Sequence, residues 1–241
     1  MYTFDSRVRY SETTPDGFLR MESLIDYLQD CSTFQSEDLG IGIGYMKERH
    51  IAWVVNFWQI DVLRLPRLGE RIVTGTSPYE LRGFLGMRNF MVETESGERL
   101  VNANSVWSLL NLDRMAPERV TKEMQEGYEL FPKFSMEYLP RKIAMPENMT
   151  PHESVEVTPQ MLDSNYHVNN ARYVGLGMEF VPEGKTIRRL CVEYRKQALE
   201  GDRILPCTAA SESCVTVSLE NGEHIPYAVL TFDYDKESTT C

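Results

Sequence analysis

The sequence predicts an α+β chain in which one plan, a helix followed by three or four antiparallel strands, is laid down twice. Three observations predict it. Leu19, Met21, Leu24, Ile25, Leu28, Cys31 and Phe34 recur at helical spacing. Stretches rich in aromatic and β-branched residues, punctuated by Gly, Pro and Asn, fill most of the chain that follows. Short marks also return in the same order: Gly69-Glu70-Arg71-Ile72 as Gly201-Asp202-Arg203-Ile204, and Glu95-x-Gly97-Glu98 as Glu220-x-Gly222-Glu223. Either match alone is weak. Both together, inside one repeated order of elements, make duplication the better reading.

The elements follow in order. Residues 1–10 alternate loosely through Tyr2, Phe4, Val8 and Tyr10 and read as an opening strand, turned at Thr14-Pro15-Asp16-Gly17. A helix runs from 19 to about 38, apolar on a wide face and stopped by Gly40. Residues 51–63 carry Trp53, Val55, Phe57, Trp58 and Ile60 and read as a strand, ended by Pro66 and Gly69. Strands near 70–77, 83–94 and 99–111 complete the first copy. Residues 131–153 lose periodicity and gather Pro132, Pro140, Pro146 and Pro151, as a connecting segment does. In the second copy a short helix runs to about Phe180, strands follow near 187–197 and 202–219, and Asn221-Gly222 turns into a last strand from Ile225 to Tyr234.

At 241 residues, with 42% hydrophobic and 25% charged, the chain has enough apolar material for real interiors. A net charge of −11 argues against nucleic acid and anionic membranes, and leaves a small molecule or a protein as the partner. The five cysteines include no C-x-x-C pair, and no histidine stands at metal-ligand spacing, so the expectation is a reducing compartment and no metal. The opening M-Y-T-F-D-S-R is not a basic leader, and no apolar run approaches the roughly 20 residues of a membrane span. A cytoplasmic protein is expected.

Chemistry concentrates in 163–173, D-S-N-Y-H-V-N-N-A-R-Y. On an extended backbone Asp163, Asn165 and His167 would share one face. A helix would begin after them, capped by Asn169 or Asn170, and its unpaired N–H groups would favour a developing oxyanion. A carboxylate, an amide and an imidazole converging there suit hydrolysis. The same letters also read as ordinary turn chemistry, with Asn-Asn as a cap and nothing more. The first copy places Phe18-Leu19-Arg20-Met21 where the second has His167-Val168-Asn169-Asn170, so it cannot perform the same chemistry. It offers instead Met21, Leu24 and Leu28 beside the strand holding Trp53 and Val55, which reads either as an apolar ligand slot or as core.

D-S-N-Y-H-V-N-N-A-R-Y-V followed by V-E-Y-R-K-Q-A resembles the acyl-acyl-carrier-protein (acyl-ACP) thioesterases of plants and bacteria, whose second hotdog domain carries D-x-N-x-H-V-N-N-x-x-Y and then E-Y-R-R-E-C. The resemblance implies a tandem hotdog fold, each repeat a long helix wrapped by an antiparallel sheet: 1–130 a non-catalytic repeat with the acyl-chain pocket, 131–153 a linker, 154–241 the catalytic repeat. The repeats are expected to pack as a pseudo-dimer with one active site. The implied reaction hydrolyses fatty acyl-ACP to free fatty acid and holo-ACP and ends chain elongation. It needs no cofactor beyond the phosphopantetheine on the substrate. The carrier protein is the implied partner, and homodimerisation is left open.

Residue by residue, the family's catalytic Asp, Asn and His fall on Asp163, Asn165 and His167. Gln197 and Ala198 stand where the family often has Glu and Cys, so a thiol nucleophile and a carboxylate base are both missing there. Glu193, on the same strand face as Gln197, is a conceivable substitute or an exposed or ion-paired strand residue. An acidic carrier would need a local basic patch, for which Arg188, Arg189, Arg195 and Lys196, with Arg203, are nearest. The alternatives are an acyl-CoA thioesterase and a non-catalytic acyl-thioester binding module. Hydration chemistry, which needs His and carboxylate across two repeats, is disfavoured by Phe18.

Overall fold

The computed structural model describes residues 1–235. The chain divides into two units, Met1–Leu139 and Pro140–Cys241. In unit 1 the order is β1 (Tyr2–Arg7), α1 (Met21–Asp38), α2 (Ile43–Glu48), β2 (Ile51–Val62), β3 (Arg71–Arg82), β4 (Leu85–Thr94), β5 (Arg99–Asn111) and α3 (Lys122–Gly127). The strands form an antiparallel sheet in the order β1-β3-β4-β5-β2. Register pairs Thr76 with Phe90, Phe90 with Ala103 and Ala103 with Ile60, so these residues share the face that meets α1. The stripe Leu24, Leu28 and Cys31 is completely buried there. No side chain caps the start of α1, so burial of this stripe, not capping, holds the helix. Gly40, at φ 72°, closes its end as the composition suggests. The helices α2 and α3 are too short to show periodicity and were not legible.

The opposite face of this sheet carries buried amides. Leu139 N–H donates to Gln59 Oε1 at 2.9 Å and Gln59 Nε2 donates to Glu137 O at 2.8 Å. Asn89 Oδ1 accepts from Phe134 N–H at 3.1 Å and from the Tyr138 hydroxyl at 2.9 Å. The first part of the stretch read as a connector is thus fastened across unit 1. Strand side chains supply the hydrogen bonds that a proline-rich backbone cannot make to itself.

Unit 2 runs through α4 (Asn170–Met178), β6 (Ile187–Tyr194), β7 (Arg203–Ala210), β8 (Cys214–Glu220) and β9 (Pro226–Tyr234). Its antiparallel order is β6-β9-β8-β7, with Thr150–Pro151 and Val155–Glu156 on the far side of β7. The helix lies against β8 and β9. A Cβ on Gly177 would stand 3.0 Å from Phe232 Cζ and 3.1 Å from Leu230 Cδ2, so only glycine lets α4 come this close. Each unit is therefore a helix on an antiparallel sheet, the α+β hotdog plan. The helices are unequal, with 18 residues in α1 and 9 in α4, where a long helix was expected in both.

Two strand expectations are corrected. The run 202–219 is two strands, because the Ser211 hydroxyl accepts from Cys214 N–H and turns the chain without Gly or Pro. The run 187–197 stops at Tyr194, because the N–H groups of Arg195 and Lys196 both turn to Tyr227 O, at 2.8 and 3.1 Å. Gln197 therefore sits on a loop. It does not share a strand face with Glu193.

Candidate active site

The segment 163–167 is a turn, not an extended strand. Leu162 bridges to Val168, and inside that closure Asp163 N–H donates to His167 O at 2.7 Å. Asp163 Oδ1 accepts from the N–H of Asn165 at 2.7 Å and of His167 at 3.2 Å, an Asx turn in which the carboxylate organises its own loop. Tyr166 is left in the left-handed region at φ 61° and is 79% exposed. A non-glycine residue in that region is strained, and the converging hydrogen bonds on either side hold it there. The alternation argument for a common face therefore fails, and the loop brings Asp163 and His167 together by closing.

Unit 1 contains the same loop without the chemistry. Thr13 bridges to Leu19, Thr14 N–H donates to Phe18 O at 2.8 Å, Thr14 Oγ1 accepts from Phe18 N–H at 3.3 Å, and Gly17 takes φ 77°. Thr14 stands for Asp163, Gly17 for Tyr166 and Phe18 for His167. A short 3-10 turn precedes each loop, Tyr10–Glu12 in one and Pro159–Met161 in the other. The duplication read from the sequence is thus repeated in loop geometry, with phenylalanine where the imidazole would be.

In unit 2 the loop leads into α4. Asn169 caps the helix, its Oδ1 accepting from Ala171 N–H at 2.9 Å, while its own N–H donates to Met161 O at 2.8 Å. Arg172 N–H returns to Asn169 O. The N–H groups of Asn169, Ala171 and Arg172 are therefore taken, and the helix start offers less to an oxyanion than the sequence suggested. Asn170 opens the helix, and its carbonyl accepts from the Tyr194 hydroxyl at 3.0 Å. Asn165 is exposed at the loop tip. His167 is half-buried, and its Nδ1 is buried without a hydrogen-bond partner among the described residues. Such an orphaned atom is where a proton-transfer role is sought first.

The loop holding Gln197 is tied to this one. Val168 N–H donates to Ala198 O, and Ala198 N–H donates to the Tyr173 hydroxyl, both at 3.0 Å. His167 and Gln197 are the residues immediately before the bonded pair. Tyr173 and Ala198 are fully buried, and burial pushes the Tyr173 phenol pKa up. Tyr173 is the last residue of the motif, and the sequence assigned it no role. The signal was its hydroxyl, which a buried face must satisfy.

Other expected residues divide. Glu193 Oε2 accepts from Arg195 at 2.7 Å and from Ile143 N–H at 2.9 Å, so it is the ion-paired strand residue and not a base. Arg188 grips both oxygens of Asp235, at 2.8 and 2.9 Å, which holds that carboxyl below the usual range. Lys196 lies 5.9 Å from the Tyr227 ring, and Arg189 is half-buried. Arg188 and Arg195 therefore each meet a carboxylate close by. In unit 1, Met21, Leu24 and Leu28 are buried on α1 and Val55 is buried on β2. Trp53 packs on a cluster of Ile41, Ile51, Leu109, Val120, Met124 and Tyr128.

Comparison with known proteins places this geometry in context. The profile of the acyl-ACP thioesterase N-terminal domain matches residues 1–128, and that of the C-terminal domain matches 147–237. A palmitoyl-acyl carrier protein thioesterase from the chloroplast of Gossypium hirsutum is 27% identical over 90% of this chain and 56% of its own length. The chain spans about half the length of such curated plant relatives. Among solved structures, an acyl-ACP thioesterase from Bacteroides thetaiotaomicron superposes with a TM-score of 0.89 at 22% identity, covering 97% of each chain. The 12:0-ACP thioesterase from Umbellularia californica gives 0.82 at 19% identity, again over 97% of each chain. No helix among the described residues is long and apolar enough to cross a membrane.

Proposed function

The chain belongs to the acyl-acyl-carrier-protein thioesterase family, and from that premise we propose that it hydrolyses the thioester of fatty acyl-ACP, releasing free fatty acid and holo-ACP. The observation that carries the reading is the loop 162–168, which Asp163 closes through Oδ1 while the His167 Nδ1 has no hydrogen-bond partner among the described residues. Thioester hydrolysis needs an activated water, a donor for the carbonyl oxygen and a proton for the departing thiolate. His167 takes the proton from water and returns it to the sulfur. Asp163 fixes the loop with one oxygen and directs the water with the other. The exposed Asn165 amide donates to the thioester carbonyl as charge gathers on it. Gln197, brought level with His167 by the Val168 to Ala198 bond, holds the water as donor and acceptor. The departing thiol, with a pKa near 8.5, leaves readily once protonated or even as thiolate.

We assign the acyl chain to unit 1, along the α1 stripe of Met21, Leu24 and Leu28, and carrier recognition to the basic residues of β6 and the loop after it. The pairing of Arg188 with Asp235 and Arg195 with Glu193 offsets part of the positive charge of that surface. This favours one second reading, in which a coenzyme A thioester is accepted as well. Free-thiol release from matched acyl-ACP and acyl-CoA substrates tests both. Turnover of acyl-ACP with a KM that rises with salt supports carrier docking. Equal turnover of both carriers transfers the assignment to the smaller one, and turnover of neither contradicts hydrolysis.

A further inference from the structure

The loop that carries Gln197 is held at both ends by two residues of unit 2. At its entry the N–H groups of Arg195 and Lys196 donate to Tyr227 O. At its exit Asp202 Oδ2 accepts from Leu199 N–H at 3.0 Å, and Asp202 N–H returns to Leu199 O at 3.1 Å. The same Oδ2 accepts from the Tyr227 hydroxyl, also at 3.0 Å. Tyr227 is buried on β9, so its ring stands as a fixed strut between the carbonyl that takes the start of the loop and the hydroxyl that reaches its end through Asp202. Gln197 is exposed and immediately precedes Ala198, whose carbonyl holds Val168 beside His167. Whatever fixes this loop therefore fixes Gln197 against His167.

Unit 1 has the same tie without the chemistry. Leu19 N–H donates to Pro66 O at 2.9 Å as Val168 N–H does to Ala198 O. Gly69 N–H donates to Val8 O at 2.9 Å as Gly201 N–H does to Val157 O, and Glu70 Oε2 accepts from Arg67 N–H at 2.8 Å as Asp202 does from Leu199. Leu100 O takes the N–H groups of Leu63 and Arg64 as Tyr227 O takes those of Arg195 and Lys196. Leu65 then stands where Gln197 does, and Phe18 where His167 does. The copies differ in the second partner of the carboxylate. Leucine has no hydroxyl, and Glu70 is gripped instead by Arg64 at 2.7 and 3.1 Å. The phenol that joins the two ends of the loop is found in the copy that holds the imidazole.

We propose that Asp202, with Tyr227, is a positioning residue for the hydrolysis: its Oδ2 ties the exit of the Gln197 loop to the strut that holds the entry, and so keeps Gln197 level with His167. This role rests on the hydrolytic reading of the site. Asp202 works through the loop and not on the thioester. The tie needs one oxygen that accepts two bonds, which an amide oxygen supplies as well as a carboxylate. Charge is therefore dispensable at position 202, and the acceptor is not.

Asp202→Ala, Asp202→Asn and Glu70→Ala are compared in the full chain by free-thiol release from an acyl-ACP substrate and by amide hydrogen exchange of segments 166–170 and 195–201. Asp202→Ala should lower kcat about tenfold or more with KM within about twofold, as for a misplaced group that does not bind substrate. Asp202→Asn should stay within about threefold of wild type, and so should Glu70→Ala, whose loop bears no site residue. In a Gln197→Ala background the loss from Asp202→Ala should shrink to under about threefold, since both changes disturb one unit. Exchange in both segments should quicken at least about tenfold in Asp202→Ala and not in Asp202→Asn. Full kcat in a folded Asp202→Ala, an equal loss in Asp202→Asn or in Glu70→Ala, an equal loss with and without Gln197, or unchanged exchange overturns the proposal. If the wild type releases no thiol, the hydrolytic reading fails, and exchange alone decides whether Asp202 holds the two loops together. If Asp202→Ala does not fold, Tyr227→Phe, which keeps the ring and removes one of the two bonds to Oδ2, takes its place with the same readings.

Discussion

Tyr173→Phe isolates one hydrogen bond. The substitution keeps the ring and its volume, so no cavity opens, and it removes the acceptor of Ala198 N–H, which lies in a completely buried residue. A buried donor left unpaired costs about 1–3 kcal/mol. In a unit of this size each kcal/mol lowers Tm by about 4–8 °C, so a fall of several degrees is expected by calorimetry. The same change frees Ala198, whose carbonyl holds Val168 and with it His167 and Gln197. We expect kcat to fall about tenfold, or about 1.4 kcal/mol in barrier, with KM little changed. Stability alone would not separate a positioning role from a packing one. In a Gln197→Ala background the Tm cost should persist while the further loss in kcat shrinks to under about threefold, because the two changes disturb one unit. An equal loss of kcat in both backgrounds would refute the reasoning, as would full activity in Tyr173→Phe.

Further outcomes follow from other contacts. Burial and the Asp202 carboxylate push the Tyr227 phenol up to about 12, and burial raises Tyr173 too. The folded state therefore holds these protons more tightly than an unfolded tyrosine near 10. Their stabilisation is complete below about pH 10 and is lost as pH climbs towards 12, so Tm should fall steeply in that window, less so in Tyr227→Phe, and a flat profile contradicts this. Gly177→Ala should cost about 1–3 kcal/mol by crowding Phe232, more than the roughly 1 kcal/mol gained in helix propensity. Unchanged denaturant midpoints would mean that α4 can shift. Gln197→Glu should alter kcat by less than about tenfold, since an amide already offers donor and acceptor. A large gain would show that the missing carboxylate is the base.

What the sequence made legible was local. The periodicity of Met21 to Cys31 marked α1, the pair Asn169-Asn170 marked the start of α4, and Asn221-Gly222 marked the last hairpin, where Asn221 Oδ1 accepts from Glu223 and Ile225 N–H. The motif singled out 163–167, and of its two readings the turn and not the extended face is the one formed. Asp163, Asn165 and His167 alternate as a strand does, but the Asp163 carboxylate turns back onto two N–H groups, and spacing alone does not decide between the two. The end of β6 was hidden because Tyr227 O, on another strand, captures the next two N–H groups. Tyr173 meets Ala198 across 25 positions, and residues 131–139 are anchored by amides from separate strands. Such contacts belong to the fold and not to any window of sequence.

The account turns on His167. Wild type and His167→Ala are compared for free-thiol release from an acyl-ACP substrate, with Tm measured on both. Among the described residues the half-buried imidazole makes no hydrogen bond from its buried Nδ1, so its removal should leave Tm nearly unchanged. A kcat lower by about 10²–10⁴, as for loss of a general acid–base group, is the predicted result. Retained turnover in a folded His167→Ala would contradict it and place the chemistry elsewhere.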